Sequence, residues 1–299
     1  MILYGAPAPG LVEVPRGVTQ VSPLIPGSDD LSAMPDGAQD GAMILAPPGT
    51  LERDFVLAQA LRALAPGAPV CVFAPKDKGG ARLKKALEGF GCAVTEAARR
   101  HHRFCHATRP AAPTGLAAAI DAGAPRVVES LGLWSQPGVF SWDRIDLGSA
   151  RLLTMIPALA GRGADLGCGV GVLAGPILAS PQVTDLACID LDRRAVACAQ
   201  RNLGDPRARV LWADARVPDA ALAGLDFVVT NAPFHDGGAE DKALGVAFIQ
   251  AASTMLRRGG VCWIVANRHL PYEATLATAF AAVAVRADAG GYKIFEARK

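Results

Sequence analysis

The chain has 299 residues, 51% hydrophobic and 19% charged, a balance that supports sizeable cores and excludes an extended disordered or fibrous protein. At about 150 residues per domain, the length predicts two domains. A formal net charge of +2 permits an anionic partner without identifying one, and seven scattered cysteines with no C-x-x-C pair exclude a disulfide framework and a standard zinc site.

The opening MILYGAPAPG lacks the charged and long apolar regions of a secretory signal, and no window approaches the roughly 18 apolar residues of a membrane span. A cytoplasmic location with no membrane contact is therefore expected. In the first half, AMILAPP and PVCVFAPK read as strands separated by a helical stretch. His101, His102, Cys105 and His106 cluster further on, but their spacing fits no zinc site and no metal is expected. Arg99, Arg100 and Arg103 beside them are candidates for phosphate contact, or else a solvated basic face. From Ala107 to Arg126 the chain is rich in Ala, Pro and Gly, which predicts a loop or linker and places the domain boundary there.

After that boundary, short apolar runs alternate with helical patterns, the signature of βαβ units around a mostly parallel sheet. SARLLTMIPALA predicts a helix capped by Ser149, and GADL a strand running into a glycine loop. Further strands are expected at Asp185–Ile189, Ala208–Trp212, Leu225–Thr230 and Val261–Ala266, with a closing pair at Ala281–Ala287 and Tyr292–Ala297, seven in all. AMILAPP parallels FVVTNAP and PVCVFAPK parallels GVCWIVANR, which suggests an internal duplication. The first copy has no D-x-G-x-G-x-G loop and reads as degenerate. General likeness between α/β domains is the competing explanation.

The central chemical signal is DLGCGVG at 165–171, where a strand meets a helix. Gly167, Gly169 and Gly171 permit a tight turn and a ligand lying close to the backbone. Asp165 before them would repel a pyrophosphate but favours a cationic amino group or sulfonium. Asp190, nineteen residues beyond Gly171, stands where a carboxylate accepts from ribose hydroxyls, and Asp214 after the third strand where one accepts from an adenine amino group. Three acids ending three successive strands match a nucleoside site, although any single one is equally consistent with a solvated loop.

The fourth strand ends in TNAPFH at 230–235. The Asn231 side-chain oxygen and the Ala232 carbonyl can accept the two hydrogens of an amine, stabilising positive charge as its nitrogen is methylated. Pro233 biases residue 232 toward an extended conformation, Phe234 can stack on the base bearing the amine, and His235 with Asp236 can line the pocket. Standing alone, the segment would be a turn followed by a core phenylalanine.

Taken together, PGVFSWDRIDLGSARLL, ADLGCGVGVLA, VTNAPFHDG and VANRHLPYEATL resemble the class I S-adenosylmethionine-dependent methyltransferases, and more narrowly the small-subunit ribosomal RNA guanine-N2 methyltransferases, from Pro137 onward. LRALAPGAPVCVFAPKDKGGARLKKALEGFG and ARRHHRFCHA resemble that family's N-terminal domain more weakly. The family pattern is Asn-Pro-Pro-Phe, and position 232 departs from it as alanine, keeping the carbonyl that any residue supplies.

The resemblance implies tandem Rossmann-like α/β methyltransferase domains: residues 1–110 a degenerate, RNA-holding copy, 111–136 a linker region, and 137–299 a catalytic domain with a seven-stranded sheet. It implies S-adenosyl-L-methionine as cofactor, held by Asp165, Gly167, Gly169, Gly171, Asp190 and Asp214. Asn231, Ala232, Pro233 and Phe234 are then catalytic, and Phe234, His235, Arg99, Arg100 and Arg103 bind substrate. The partner is ribosomal RNA or the small ribosomal subunit, and the chain is expected to act as a monomer. An N-methyltransferase of another nucleobase or of a protein glutamine uses the same logic, and a noncatalytic RNA-binding protein retaining the fold is the alternative from another class. A nicotinamide oxidoreductase would need a pyrophosphate loop that the chain lacks.

Overall fold

The computed structural model describes residues 1–217, 219–232, 235–236, 239–240 and 242–299, with residues 235, 236, 239 and 240 described by their backbone alone. The chain separates into two compact units, Met1–Pro125 with Gln136–Gly138, and Arg126–Ser135 with Val139–Lys299.

The first unit runs β1 (Ile2–Tyr4), β2 (Thr19–Gln20), β3 (Ala42–Leu45), α1 (Thr50–Ala63), β4 (Pro69–Pro75), α2 (Leu83–Gly89), β5 (Val94–Arg99), β6 (His102–Thr108) and α3 (Leu116–Gly123). Its sheet has the order β2-β1-β3-β4-β6-β5, parallel from β2 to β4 and antiparallel at β6 and β5. Helix α1 is buried along most of its length, with Phe55, Val56, Leu57, Ala60 and Leu61 in the core.

The stretch expected as a linker is in part structured. Residues 116–123 form α3, whose Ala119 and Ile120 pack on the same core as α1. Alanine favours a helix once tertiary contacts are available, and Gly123 lets the chain pass so close to Phe55 that an added Cβ would lie 2.3 Å from its own. Within that stretch Arg126–Ser135 belong to the second unit, and Gln136 to the first.

The second unit opens with the hairpin β7 (Arg126–Val128) and β8 (Leu133–Ser135), then α4 (Leu147–Met155), β9 (Gly161–Leu166), α5 (Ala174–Leu178), β10 (Val183–Asp190), α6 (Arg193–Asn202), β11 (Ala208–Trp212) and β12 (Leu225–Asn231). It continues with β13 (His235–Asp236), β14 (Ala239–Glu240), α7 (Lys242–Met255), β15 (Leu256–Asn267), α8 (Glu273–Ala279), β16 (Ala282–Ala289) and β17 (Tyr292–Arg298). The seven-stranded sheet has the order β11-β10-β9-β12-β15-β17-β16, with β17 antiparallel to both its neighbours. Covered on both faces, β9, β10 and β12 each bury four consecutive residues, 163–166, 186–189 and 227–230, as parallel strands do. Gly163 faces Phe227 across β9 and β12, and an added Cβ would lie 2.1 Å from that ring.

The two sheets share one topology. Strands β1, β2, β3, β4, β6 and β5 correspond in order and direction to β9, β10, β12, β15, β17 and β16. The first sheet has no counterpart of β11, and residues 5–18 between β1 and β2 carry no helix. These are the places where the second unit puts its glycine loop, α5 and α6.

Helix α4 differs from expectation at its start. Its N-cap is Asp146, whose carboxylate accepts from the Ser149 amide at 2.9 Å, so Ser149 lies inside the first turn. The helix stops at Met155, because Pro157 disfavours a helical Ile156, which is extended.

Candidate methyl-transfer site

The parallel strands β9, β10, β11 and β12 end at one edge of the sheet, where open α/β sheets bind ligands. At the end of β9 the chain turns through three left-handed glycines, Gly167 (φ 71°), Gly169 (φ 56°) and Gly171 (φ 91°). Side chains rarely adopt this conformation. A Cβ on Gly169 would meet no protein atom within 4 Å, so the space above it is open. The amides of Gly167 and Cys168 both donate to the Ile189 carbonyl, at 2.9 and 3.0 Å, tying the loop to β10.

Asp165 is fully buried below this loop, and neither carboxylate oxygen has a hydrogen-bond partner among the described residues. Burial, reinforced by the charge on Asp190, pushes its pKa up to about 8. An unpartnered buried carboxyl is costly. A cationic ligand group over the loop is the partner its chemistry lacks, so the site fits an amino acid-bearing sulfonium.

Asp190 ends β10 and is half-buried. Its oxygens accept from the backbone amides of Gly169 (2.7 Å) and Asp192 (2.8 Å), clamping the loop to the start of α6. Burial pushes its pKa up to about 6 against these hydrogen bonds, which pull it down. Each oxygen keeps a lone pair for a ribose hydroxyl.

Asp214 stands after β11 as expected, but its carboxylate is held by the Arg216 guanidinium, with Nη2–Oδ2 at 2.6 Å and Nε–Oδ1 at 2.8 Å, and by the Arg216 amide. These bonds, led by that of the Arg216 side chain, lower its pKa. It thus faces its own turn.

Asn231 ends β12 beside the glycine loop, since its neighbour Thr230 pairs with Leu166 and donates Oγ1 to the Leu166 carbonyl at 2.8 Å. Its Nδ2 donates to Asp146 Oδ2 at 2.8 Å and to Ser149 Oγ at 2.9 Å. A carboxylate only accepts, so the nitrogen must face Asp146 and Oδ1 turns away from it. Ala232 is buried, and its amide donates to the Val265 carbonyl at 3.2 Å, a bond that the family's proline at this position cannot make. Pro233 and Phe234 lie outside the described residues, and so do the side chains of His235 and Asp236.

Sequence reasoning missed Asp146 and Ser149 as neighbours of Asn231. Their D-x-x-S spacing signals a helix start, but nothing local shows that this start lies over β12.

In the first unit, Arg99 and Arg100 are exposed and donate to the backbone of the β1–β2 connection, Arg99 to the Gly10 and Leu11 carbonyls and Arg100 to that of Gly10. Arg103 is half-buried on β6. His102 and His106 alternate with Arg103 and Cys105 along β6, which sends Cys105 to the face opposite the two histidines. Burial pushes the Cys105 thiol up to about 11.

A glycine loop between strand and helix, acids at the strand ends and an asparagine on the adjoining strand thus meet at the edge where open α/β sheets bind ligands. The chain belongs to the methyltransferase small domain family, which it matches over residues 130–296.

Among known proteins, the chain is 37% identical over 164 residues to a "Ribosomal RNA small subunit methyltransferase C" from Shewanella loihica, covering 54% of this chain and 47% of that relative. It is also 37% identical over 161 residues to the protein of that name from Shewanella halifaxensis, covering 53% and 46%. The chain thus spans about half the length of the curated relatives it matches. A solved T. thermophilus structure, a 16S rRNA N2-guanine methyltransferase in complex with AdoMet and guanosine, superposes with a TM-score of 0.73 at 27% identity, over 90% of this chain and 75% of that one. No helix among the described residues is long and apolar enough to cross a membrane.

Proposed function

We propose that the chain transfers a methyl group from S-adenosyl-L-methionine to the exocyclic N2 amine of a guanine in small-subunit ribosomal RNA. The observation that carries this reading is the placement of Asn231, with its carboxamide oriented, beside a glycine loop over a buried unpartnered carboxyl. The T. thermophilus match, which extends over both units, supports the choice of substrate.

In this reading Asp165 faces the cationic part of the cofactor, Gly167, Gly169 and Gly171 give it room, and Asp190 accepts from the ribose. Asp214 serves the adenine edge once its grip on Arg216 loosens. When bound, the cofactor supplies a methyl group activated by a sulfonium. Asn231 Oδ1 and the Ala232 carbonyl take the two hydrogens of the acceptor amine, which aims the nitrogen lone pair and stabilises the charge that develops there. No strong base is needed, because the methylated nitrogen is acidic enough to release its proton to water. Pro233 stiffens the turn, Phe234 stacks on the guanine, and His235 lines its pocket.

The first unit, degenerate at the cofactor edge, holds RNA without performing chemistry. Arg99 and Arg100 brace its β1–β2 connection and keep donors for phosphate, since a guanidinium has five. Arg103 is assigned to RNA as well, from the opposite face of the β5–β6 hairpin, the side of Cys105. One chain carries the whole constellation, so it acts as a monomer, and it works in the cytoplasm where ribosomal RNA is found.

The test is incubation with labelled S-adenosylmethionine and unmethylated small subunits, followed by mass spectrometry of the nucleosides. N2-methylguanosine is the expected product. Its absence, alongside efficient labelling of a protein or another base, overturns the reading. Reversing Arg103 to Glu, which breaks no hydrogen bond described above, should weaken RNA binding while cofactor affinity holds.

A further inference from the structure

We infer that Asp146 and Ser149 are positioning residues for the transfer: they fix and polarise the Asn231 carboxamide so that its oxygen is set for the acceptor amine before substrate arrives. The inference deepens the proposed function and rests on the role given there to Asn231.

The carboxamide nitrogen has two hydrogens, and the structure gives each one an acceptor, Asp146 Oδ2 at 2.8 Å and Ser149 Oγ at 2.9 Å. Turning the amide over would set Oδ1 against the Asp146 carboxylate, so a single orientation remains. The Asp146 charge does more than hold it. A carboxylate accepting from an amide N–H draws the amide toward its charge-separated form and makes the oxygen a stronger acceptor, the mutual strengthening of linked hydrogen bonds, here in a half-buried site. That gain grows when the acceptor nitrogen becomes cationic, so it favours the transition state over the bound substrate.

The local fold is built around this contact. Asp146 Oδ2 also accepts from the Ser149 amide at 2.9 Å, which locks the carboxylate over the first turn of α4. Gly148 makes room for it, since a Cβ there would lie 2.9 Å from that same Oδ2 and 2.8 Å from the Tyr292 ring. Leu152, one turn beyond Ser149, is fully buried and seats α4 in the second unit's core.

The cap and the positioning role separate experimentally. Asparagine caps a helix about as well as aspartate, so a purely structural Asp146 predicts that Asp146→Asn leaves both stability and turnover unchanged. Positioning predicts an unchanged melting temperature and cofactor KM with kcat down about tenfold, the ratio expected when a charge-assisted hydrogen bond becomes a neutral one. Ser149→Ala should also lower kcat, while Ser149→Thr, which keeps the oxygen, restores it.

An activity-free readout is NMR of isotope-labelled protein. The Asn231 carboxamide protons should exchange slowly with solvent in the wild type and faster in Asp146→Asn and Ser149→Ala. Full kcat in both of these variants, or Asn231 protons unaffected by them, overturns the inference. Slow exchange in a wild type that methylates no subunit would sink the proposed function and leave the positioning geometry standing.

Discussion

With a cationic cofactor group seated beside Asp165, as proposed, the raised pKa of that carboxyl predicts that cofactor binding releases a proton. The carboxyl is buried with both oxygens unpartnered among the described residues, and its pKa of about 8 leaves it mostly protonated at pH 7 in the ligand-free chain. A cationic amino or sulfonium group beside it favours the carboxylate, so its proton should leave on binding. One released proton raises the logarithm of the association constant by about one per pH unit, so affinity should climb about tenfold between pH 6.3 and 7.3.

The working window for this measurement has two limits. At the acid end Asp190 is half protonated by about pH 6, and at the alkaline end the ligand's own amino group is half neutral by about pH 7.7–8.0. Calorimetry in buffers of different ionisation enthalpy counts the protons directly. Asp165→Asn, close in shape, should bind more weakly at pH 7.3 and show no such slope.

The same shift acts on stability. The folded pKa lies above the ordinary value of 3.8, so the folded chain binds the extra proton between about pH 4 and 8. The stabilisation is full below about pH 4 and is lost as pH rises toward 8, and the variant should lack this slope. Buffer-independent heats with a flat affinity profile would refute the argument.

Other outcomes follow from single contacts. Asn231→Ala should cut single-turnover methyl transfer by roughly 3 kcal/mol of transition-state stabilisation while cofactor affinity holds, and a rate above about a tenth of wild type contradicts the role. Asp190→Ala removes the acceptor of the Gly169 and Asp192 amides, so titration should show cofactor affinity falling by at least about tenfold, a loss of about 1.4 kcal/mol or more. Gly163→Ala puts a methyl group 2.1 Å from the Phe227 ring. Denaturant melts should therefore show a loss of about 1–3 kcal/mol or more, and an unchanged midpoint would mean that β9 and β12 can part.

The order of elements in the second unit was legible because most of its parallel strands hold a short apolar run and the helices between them have another period, both local properties of the chain. The glycine loop was equally legible: three left-handed turns need glycine whatever surrounds them. The duplication showed faintly at β3 and β4, and β1 with β2 escaped notice because strands of three and two residues carry too little pattern. The start of α4 was misplaced at Ser149 because both Asp146 and Ser149 are good caps, and only the observed hydrogen bond chooses between them.

What the local chain left open was decided by contacts between residues far apart in sequence. Residues 116–123 become a helix because a core is there to receive Ala119 and Ile120. The guanidinium groups of Arg99 and Arg100 turn to Gly10 and Leu11, although spacing alone offered both to a ligand. The acids at the strand ends are spaced by the chain, but Asp165 acquires its raised pKa only when the sheet and helices close over it and exclude water. Asp146 and Asn231 are 85 residues apart, a separation no local pattern spans, and the folded sheet brings them within one hydrogen bond because α4 lies over the end of β12.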